Sequence, residues 1–508
     1  MSLPIVDTPL SAALELPSPR QASWNPALEA ALLRTPGDAP LLARLREPGA
    51  LVVTTGQQPG LFTGPAYSIS KALSARALSL VLERRWKRPV VPLYWIPGDD
   101  HDLHEVGSVS WLDAEGGLVT AALPSRPADA PLTPLWRESL GPEVLPLLDA
   151  FERSFPAGTA GTTCEWLRRH YRPDASLAGS YGAALAELLA PFGVLCLDST
   201  HAAVKRAMAP LLLGALERTV ALDSALAGRA EQLTRLGQDP GVPVGDRASL
   251  VFLEGELGRD RLVQDGAALQ TRRGRQAFAL DQLARIAEAE PTRLSGNVLL
   301  RPVLESALLP TVAYVAGPGE LRYLALATPV YEQLGVAVQR PVPRWSGVLV
   351  EPRVTRVIDK YATSVTELLR EGNELETRIV RQAYPAGTDE AFAALRQAIE
   401  TGYDPVIGAA AGVDPTLERP AAAARGQALH GLDELAKKLA QHARKRESTE
   451  LAQLARARAS VRPEGKPQER VLALPGFLAR YGPDLLGALA AHIEAWYVRV
   501  LEAAPASL

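Results

Sequence analysis

Residues 51–96 read LVVTTGQQPGLFTGPAYSISKALSARALSLVLERRWKRPVVPLYWI, and this stretch decides the fold. Leu51-Val52-Val53-Thr54 is a short apolar strand. A loop rich in Gly and Pro, Thr55 to Pro65, follows it. Ala66 to Lys87 then carries apolar residues at helical spacing, among them Ile69, Leu73, Leu80 and Leu82. Pro89 ends the helix, and Val90 to Ile96 is a second strand, apolar almost throughout. Strand, helix and strand at this spacing make a βαβ unit. Strands apolar on both faces belong in a parallel sheet covered on both sides.

The pattern recurs outward from this unit. Gly182–Phe192 reads as a helix and Val194–Asp198 as a strand. Val298-Leu299-Leu300 and Thr311–Val315 read as later strands, and Gly319–Gly335 as one helix closed by Gly335. Stretches near 120–175 and 205–290 interrupt the alternation and read as insertions into one core. The fold class expected is α/β, a Rossmann-like doubly wound parallel sheet over residues 1–350. From Arg353 the character changes. Val354, Ile358, Tyr361, Val365, Leu368, Gly372, Leu375 and Ile379 alternate four and three apart, which is a heptad seam on one helix ended by Pro385 and Gly387. A shorter helix, a Pro/Gly/Ala-rich loop over 403–425 and a second long helix over 429–460 complete a coiled-coil hairpin over 351–460. Its seam slips before Leu451 and Leu454. Residues 461–508 read as a segment returning to the core. The hairpin either packs on its own core or forms a dimer interface, and the regular first seam points to a homodimer through the coiled coil.

The 508 residues are 47% hydrophobic and 22% charged, enough for a sizeable core. The formal net charge of −3 argues against a general nucleic-acid binder. Two cysteines, Cys164 and Cys196, make no disulfide framework and no zinc site, so a cytoplasmic, reducing compartment is expected. The N-terminal residues show no basic start before an apolar run, and no run is long enough to span a bilayer.

Three segments can carry chemistry. The Thr55–Pro65 loop ends at a helix N-terminus, where N–H groups and the helix dipole suit an anion; an ordinary Gly/Pro turn has the same composition. The second strand ends at Gly98-Asp99-Asp100-His101-Asp102-Leu103-His104-Glu105, outside the carboxyl end of a strand, where α/β sheets bind ligands. Its carboxylates and imidazoles could act as a base, orient an amine or bind a divalent ion, or simply complement a helix dipole. His104 is expected to face solvent. Arg301, read at the end of an apolar strand, needs an anionic partner, which Glu305 could supply. Gly317-Pro318-Gly319-Glu320 opens a helix after another strand and is a second candidate anion site.

Taken together, Thr55-Gly56-Gln57-Gln58, Leu61-Phe62-Thr63-Gly64-Pro65, Tyr67 with Lys71, and Trp95-Ile96 before Asp100-His101-Asp102 resemble the N-terminal signature of the BshC family. The similarity continues through Asn297–Pro302, Leu309-Pro310-Thr311, Gly317–Glu320, Tyr323 and Arg344, and then Pro463–Arg470. It covers most of the chain in the same order. It departs at Gly296, Glu305 and Leu324, where the family pattern has Pro, Gln and an aromatic. The resemblance implies a Rossmann-type core, a C-terminal coiled coil and a homodimer. It also implies a ligase that joins the carboxyl group of cysteine to the amine of glucosaminyl-malate, the last step of bacillithiol biosynthesis. On that reading ATP with Mg²⁺ activates the carboxylate over the Leu61–Lys71 turn, with Lys71 or Arg301 holding phosphate charge. Asp100, His101 and Asp102 orient cysteine or take the amine's proton, and Glu320 holds the cysteine ammonium or a ribose hydroxyl. Thr55, Gly56, Gln57, Gln58, Thr63, Gly64, Tyr67, Trp95, Asn297, Gly317, Gly319, Tyr323 and Arg344 complete the substrate and nucleotide set, and no metal ligand is assigned. Gln468-Glu469-Arg470 is read as a hairpin-to-core clamp in preference to part of a nucleotide site. A metal-dependent hydrolase built on Asp99–Glu105 and a non-catalytic dimeric scaffold are the competing readings.

Overall fold

The computed structural model describes residues 3–10, 12–266 and 268–503. They form two compact units, residues 1–349 with 467–508 and residues 350–466.

In the first unit a five-stranded parallel sheet runs in the spatial order Arg340–Pro343, Thr311–Ala316, Leu51–Gly56, Val90–Ile96, Leu195–Asp198. In chain order this is 5-4-1-2-3, the Rossmann arrangement in which the chain reverses direction beside its first strand. Alternation along the strands builds two cores. Val90, Tyr94 and Ile96 join the helices Tyr67–Trp86, Leu177–Leu189 and Asp484–Ala503 on one face. Val91, Leu93 and Trp95 join the helix Ala202–Glu217 and its neighbours on the other. Every residue of the strands Leu51–Gly56 and Val90–Ile96 is buried, which is why their sequences lack polar alternation.

Both insertions have structure of their own. The first carries the hairpin of Ser108–Leu112 with Leu118–Ala122 and the helices Val144–Arg153 and Gly161–His170. The second carries an antiparallel sheet in the order Ala277–Phe278, Ala268–Thr271, Gly258–Asp265, Ala248–Gly255, Leu294–Gly296.

Two expectations for this unit are corrected. Val298–Leu300 is a turn, because the Asn297 side-chain oxygen accepts the N–H groups of Leu299 and Leu300 at 3.1 and 3.0 Å. Arg301 therefore opens the helix Arg301–Leu308 instead of ending a strand. Residues 319–335 form two helices, Pro318–Leu326 and Thr328–Leu334, since Pro329 lacks the N–H that one continuous helix needs; Gly335, at φ +66°, closes the second.

The second unit is helical, and the long seam is cut in three: Pro352–Lys360, Val365–Leu369 and Glu374–Gln382. Ala362 at φ +46° and Gly372 at φ +109° leave the helical region, and the Ser364 hydroxyl caps the middle helix by accepting the Glu367 N–H at 3.1 Å. Val354, Leu368, Leu375 and Ile379 are nonetheless buried, so the seam marks a core face of separate helices. The antiparallel hairpin lies further on, between Thr388–Val413 and Glu418–Arg446. Residues 403–413, read as loop, are helical through Pro405. A proline costs one N–H bond, and the alanines around it favour helix. The helix expected over 429–460 breaks at Glu447 and restarts as Ser448–Val461.

Candidate functional site

The first and fourth strands of the parallel sheet, Leu51–Gly56 and Thr311–Ala316, are neighbours from which the chain departs to opposite sides. This switch point is where α/β sheets open a crevice. A cavity of 470 Å³ lies here, lined by Gly56, Gln57, Gln58, Trp95, Asp99, Asp100, Asn297, Arg301, Glu320 and Tyr323, together with residues of the second insertion.

At its inner wall a buried charge cluster spans the switch point. Lys71, from the helix Tyr67–Trp86, donates to Glu320 at 2.6 Å and to the Gly56 carbonyl. Glu320 also accepts the Gly317 N–H at 2.8 Å and the Tyr314 hydroxyl at 2.7 Å. Arg301 donates to the oxygens of Tyr323 at 2.9 Å and Tyr314 at 3.1 Å, and reaches Glu305 at 3.4 Å. Glu305, fully buried, accepts the Thr54 hydroxyl behind it. Burial pulls the Lys71 ammonium down to about 8 against the pull of Glu320, and pushes the Glu305 carboxyl up to about 7 against the Arg301 cation. Burial also acts on Glu320, but Lys71 and Arg301 outweigh it and hold that carboxyl below its ordinary range.

The segment after Val90–Ile96 is dispersed. Asp99 binds Lys205 at 2.6 Å through both oxygens. Asp100 accepts the Gln58 amide at 2.5 Å and the N–H groups of His101 at 2.7 Å and Asp102 at 3.2 Å. Its burial raises the carboxyl, yet Gln58, Arg259 and those N–H groups together bring it below the ordinary value. The His101 ring lies 3.4 Å from the Arg259 guanidinium at Nδ1; burial and that cation lower its pKa, so it is neutral at pH 7.

Several expected site residues are placed elsewhere. Asp102 is exposed and caps the helix Leu103–Val106 by accepting the Glu105 N–H at 3.0 Å. His104 is exposed, as expected. Among the described residues no three of His, Cys, Asp and Glu converge as a ligand set, and the Asp99–Glu105 metal-hydrolase reading is given up on that geometry. The Leu61–Lys71 turn is no phosphate cradle. Thr63 N–H donates to the Tyr171 hydroxyl at 2.6 Å, Gly64 N–H to the Leu61 carbonyl at 2.9 Å and Ala66 N–H to the Leu472 carbonyl at 2.8 Å, and Leu61 to Gly64 are buried. Thr55 is buried and donates to the Val315 carbonyl at 2.8 Å. Gly317 and Gly319 shape the turn that presents Glu320 and do not line the cavity. Arg344 is buried and paired with Glu469 at 2.7 and 2.5 Å, and its guanidinium lies over the Tyr67 ring at 5.4 Å. Gln468 exchanges two hydrogen bonds with the Leu349 backbone, at 2.9 and 3.0 Å. Arg344, Gln468 and Glu469 therefore tie the C-terminal segment to the rest of the first unit, and Arg344 and Tyr67 belong to that tie, away from the cavity lining.

Three residues escaped the sequence reading: Lys205, which sits behind the cavity wall on Asp99, and two arginines that line the cavity. Lys205 lies inside the apolar helix Ala202–Glu217, where a buried cation requires a partner. Arg259 and Arg261, on the strand Gly258–Asp265, line the cavity from the second insertion. Their alternation in GRDRLVQD was the available signal.

A Rossmann-like sheet with a charge-lined cavity at its switch point is the arrangement of an α/β enzyme, accompanied here by a helical C-terminal unit. Residues 36–345 match the model of the N-terminal Rossmann-like domain of bacillithiol biosynthesis BshC, and residues 347–497 match that of its C-terminal coiled-coil domain. Proteins named "Putative cysteine ligase BshC" are similar over most of the chain. The one from Symbiobacterium thermophilum is 31% identical over 90% of this chain and 85% of its own length. That from Heliobacterium modesticaldum is 30% identical over 88% and 82%. That from Koribacter versatilis is 31% identical over 88% and 82%. The chain belongs to the BshC family of bacillithiol biosynthesis and is an enzyme of the ligase class. Membership in an enzyme family removes the scaffold reading. Among the described residues no helix is long and apolar enough to cross a membrane.

Proposed function

We propose that the switch-point cavity joins the carboxyl group of cysteine to the amine of glucosaminyl-malate, with ATP and Mg²⁺ as the activating pair. The observation that carries this reading is the Lys71–Glu320–Arg301 cluster. It sets a carboxylate held ionised beside cations at one wall of a cavity large enough for a sugar-acid. Glu320 is placed to hold the cysteine ammonium, and Arg301 to hold its carboxylate and the charge that grows there. Asp100 faces the cavity and orients the incoming amine. His101, neutral and adjacent, takes the proton that the amine loses on forming the bond.

ATP supplies what a free carboxylate lacks, a leaving group. The Leu61–Lys71 turn does not fit phosphate because its N–H groups are spent; the Arg301 guanidinium and the half-buried Gln57 are the cavity groups that would hold it. Mg²⁺ takes one or two carboxylates with phosphate oxygens, and Asp100 is the carboxylate that fits. We place the reaction in the cytoplasm, in keeping with the two buried free thiols, Cys164 and Cys196. We place a homodimer contact on the hairpin, where Leu395, Val406 and Leu435 are about half exposed.

The test is turnover followed by mass spectrometry, with cysteine and glucosaminyl-malate present and ATP and Mg²⁺ added or withheld. The amide should form only with ATP, and AMP or ADP should appear in equal amount. Amide formed without nucleotide would remove ATP from the scheme, and no amide under any condition would remove the reaction.

A further inference from the structure

The antiparallel sheet of the second insertion gives the cavity a wall that the scheme above leaves unused. Phe252 lies directly across from Arg261 in the pairing of Ala248–Gly255 with Gly258–Asp265, and Arg259 is two residues before Arg261. Directly opposed residues and residues two apart share one face of a sheet, so the three side chains project together. All three line the cavity.

The two arginines are held differently. Arg259 is anchored throughout: it donates to the Ser295 hydroxyl at 2.9 Å and the Gly296 carbonyl at 2.8 Å, and its guanidinium stacks on Phe252 at 3.9 Å. Arg261 is anchored at Nε alone, which donates to the Ser249 carbonyl at 2.9 Å. Among the described residues its two terminal nitrogens have no hydrogen-bond partner. A guanidinium does not shed its proton, so a half-buried one with two free N–H edges calls for an anion. Asn297 adds a donor, because its side-chain oxygen is spent on Leu299 and Leu300 and its NH₂ is left to the cavity.

We infer that Arg261, with Arg259 and Asn297, is the subsite for the carboxylates of the sugar-acid substrate. The identity of this ligand rests on the reaction proposed above; the anion site itself rests on the geometry. The cysteine carboxylate is consumed in the reaction, whereas the two malyl carboxylates stay ionised throughout and must be held. A guanidinium edge matches a carboxylate with two parallel hydrogen bonds. A nucleotide phosphate has the same chemistry, and the experiment separates the two.

Purified wild type, Arg261→Gln and Arg261→Lys are titrated calorimetrically with glucosaminyl-malate, with methyl glucosaminide (the sugar without the acid) and with ATP–Mg²⁺. Thermal melting checks that each variant is folded. Wild type should bind the sugar-acid, and Arg261→Gln should bind it roughly 10- to 100-fold more weakly, as expected for loss of charge-assisted hydrogen bonds. Arg261→Lys should fall between. Affinity for methyl glucosaminide and for ATP–Mg²⁺ should not change. Equal affinity of wild type and Arg261→Gln for the sugar-acid overturns the inference, as does no sugar-acid binding by wild type. Weakened ATP binding with sugar-acid binding intact overturns it in favour of a phosphate site. Because binding is read without turnover, sugar-acid binding through Arg261 in a protein that forms no amide would sink the reaction and keep the subsite.

Discussion

Two long helices of this chain are built on opposite rules. Tyr67–Trp86 buries twelve of its twenty residues, four serines and Lys71 among them. Thr388–Val413, six residues longer, buries none within the chain. Their ion pairs differ in the same way. The Lys71 side chain is 1% exposed and its Glu320 partner 16%, whereas Arg396 and Asp433, which link the hairpin helices, are 44% and 46% exposed. A charge taken out of water must be matched, so the core pair is fixed in place and can be used for recognition. A surface pair is screened and adds little. The Lys71–Glu320 pair is thus held rigidly at the cavity wall, whereas the Arg396–Asp433 pair belongs to a solvated face.

The largest expected effect tests the core side. Glu320→Ala leaves Lys71 buried without its carboxylate and should cost about 3–5 kcal/mol in urea unfolding. A loss under 1 kcal/mol would mean that water reaches Lys71 and that the pair is no different in kind from Arg396–Asp433.

Next comes Glu305, which has no counterpart in the hairpin. Its folded carboxyl titrates near 7 rather than 4.5. The folded chain keeps a proton there that the unfolded chain releases between these values. Stability is therefore highest below pH 4.5 for this group and falls as pH rises to 7, by up to about 3 kcal/mol. Glu305→Gln should remove that fall, which unfolding curves at pH 5 and pH 7.5 would show. An unchanged pH dependence would assign the titration to another group.

Smaller effects belong to the surface. Asp102→Ala should cost about 1 kcal/mol as a lost helix cap, with turnover retained. A hundredfold loss of turnover would return Asp102 to the catalytic set. Arg396→Ala should change stability by less than about 1 kcal/mol, and by less still in high salt. Leu395→Ser with Leu435→Ser should leave the folded monomer nearly as stable, within about 0.5 kcal/mol per change, and weaken self-association in sedimentation. Unaltered association would move the dimer contact off these residues.

The same contrast explains what was legible in the sequence. Leu51–Ile96 reads correctly because burial on both faces leaves apolar strands and one long helix between punctuating Gly and Pro. The hairpin was displaced in the reading because Pro405 and the glycines near it look like loop although the segment is helical. The heptad spacing over 354–379 was real as burial and misleading as continuity, since Ala362 and Gly372 adopt left-handed backbone that spacing does not report. At the site, Arg301 was legible as a charge in an apolar segment and Glu320 as a carboxylate at a strand-to-helix turn, whereas Lys71 entered only through the family resemblance. Arg259 and Lys205 were not legible, because they come from the second insertion and the helix before it, and only tertiary folding sets them beside Asp99 and Asp100. Asp102 was overread: density of carboxylates in sequence is also what a helix cap looks like.

We place the ligation in the switch-point cavity, and the variant that bears on this is Glu320→Gln. This change keeps the shape of the side chain and removes its charge. Turnover of cysteine and glucosaminyl-malate by mass spectrometry, with ATP and Mg²⁺ present, should fall about 10²–10³-fold relative to wild type while the protein remains folded. Full turnover by folded Glu320→Gln would place the chemistry outside this cavity.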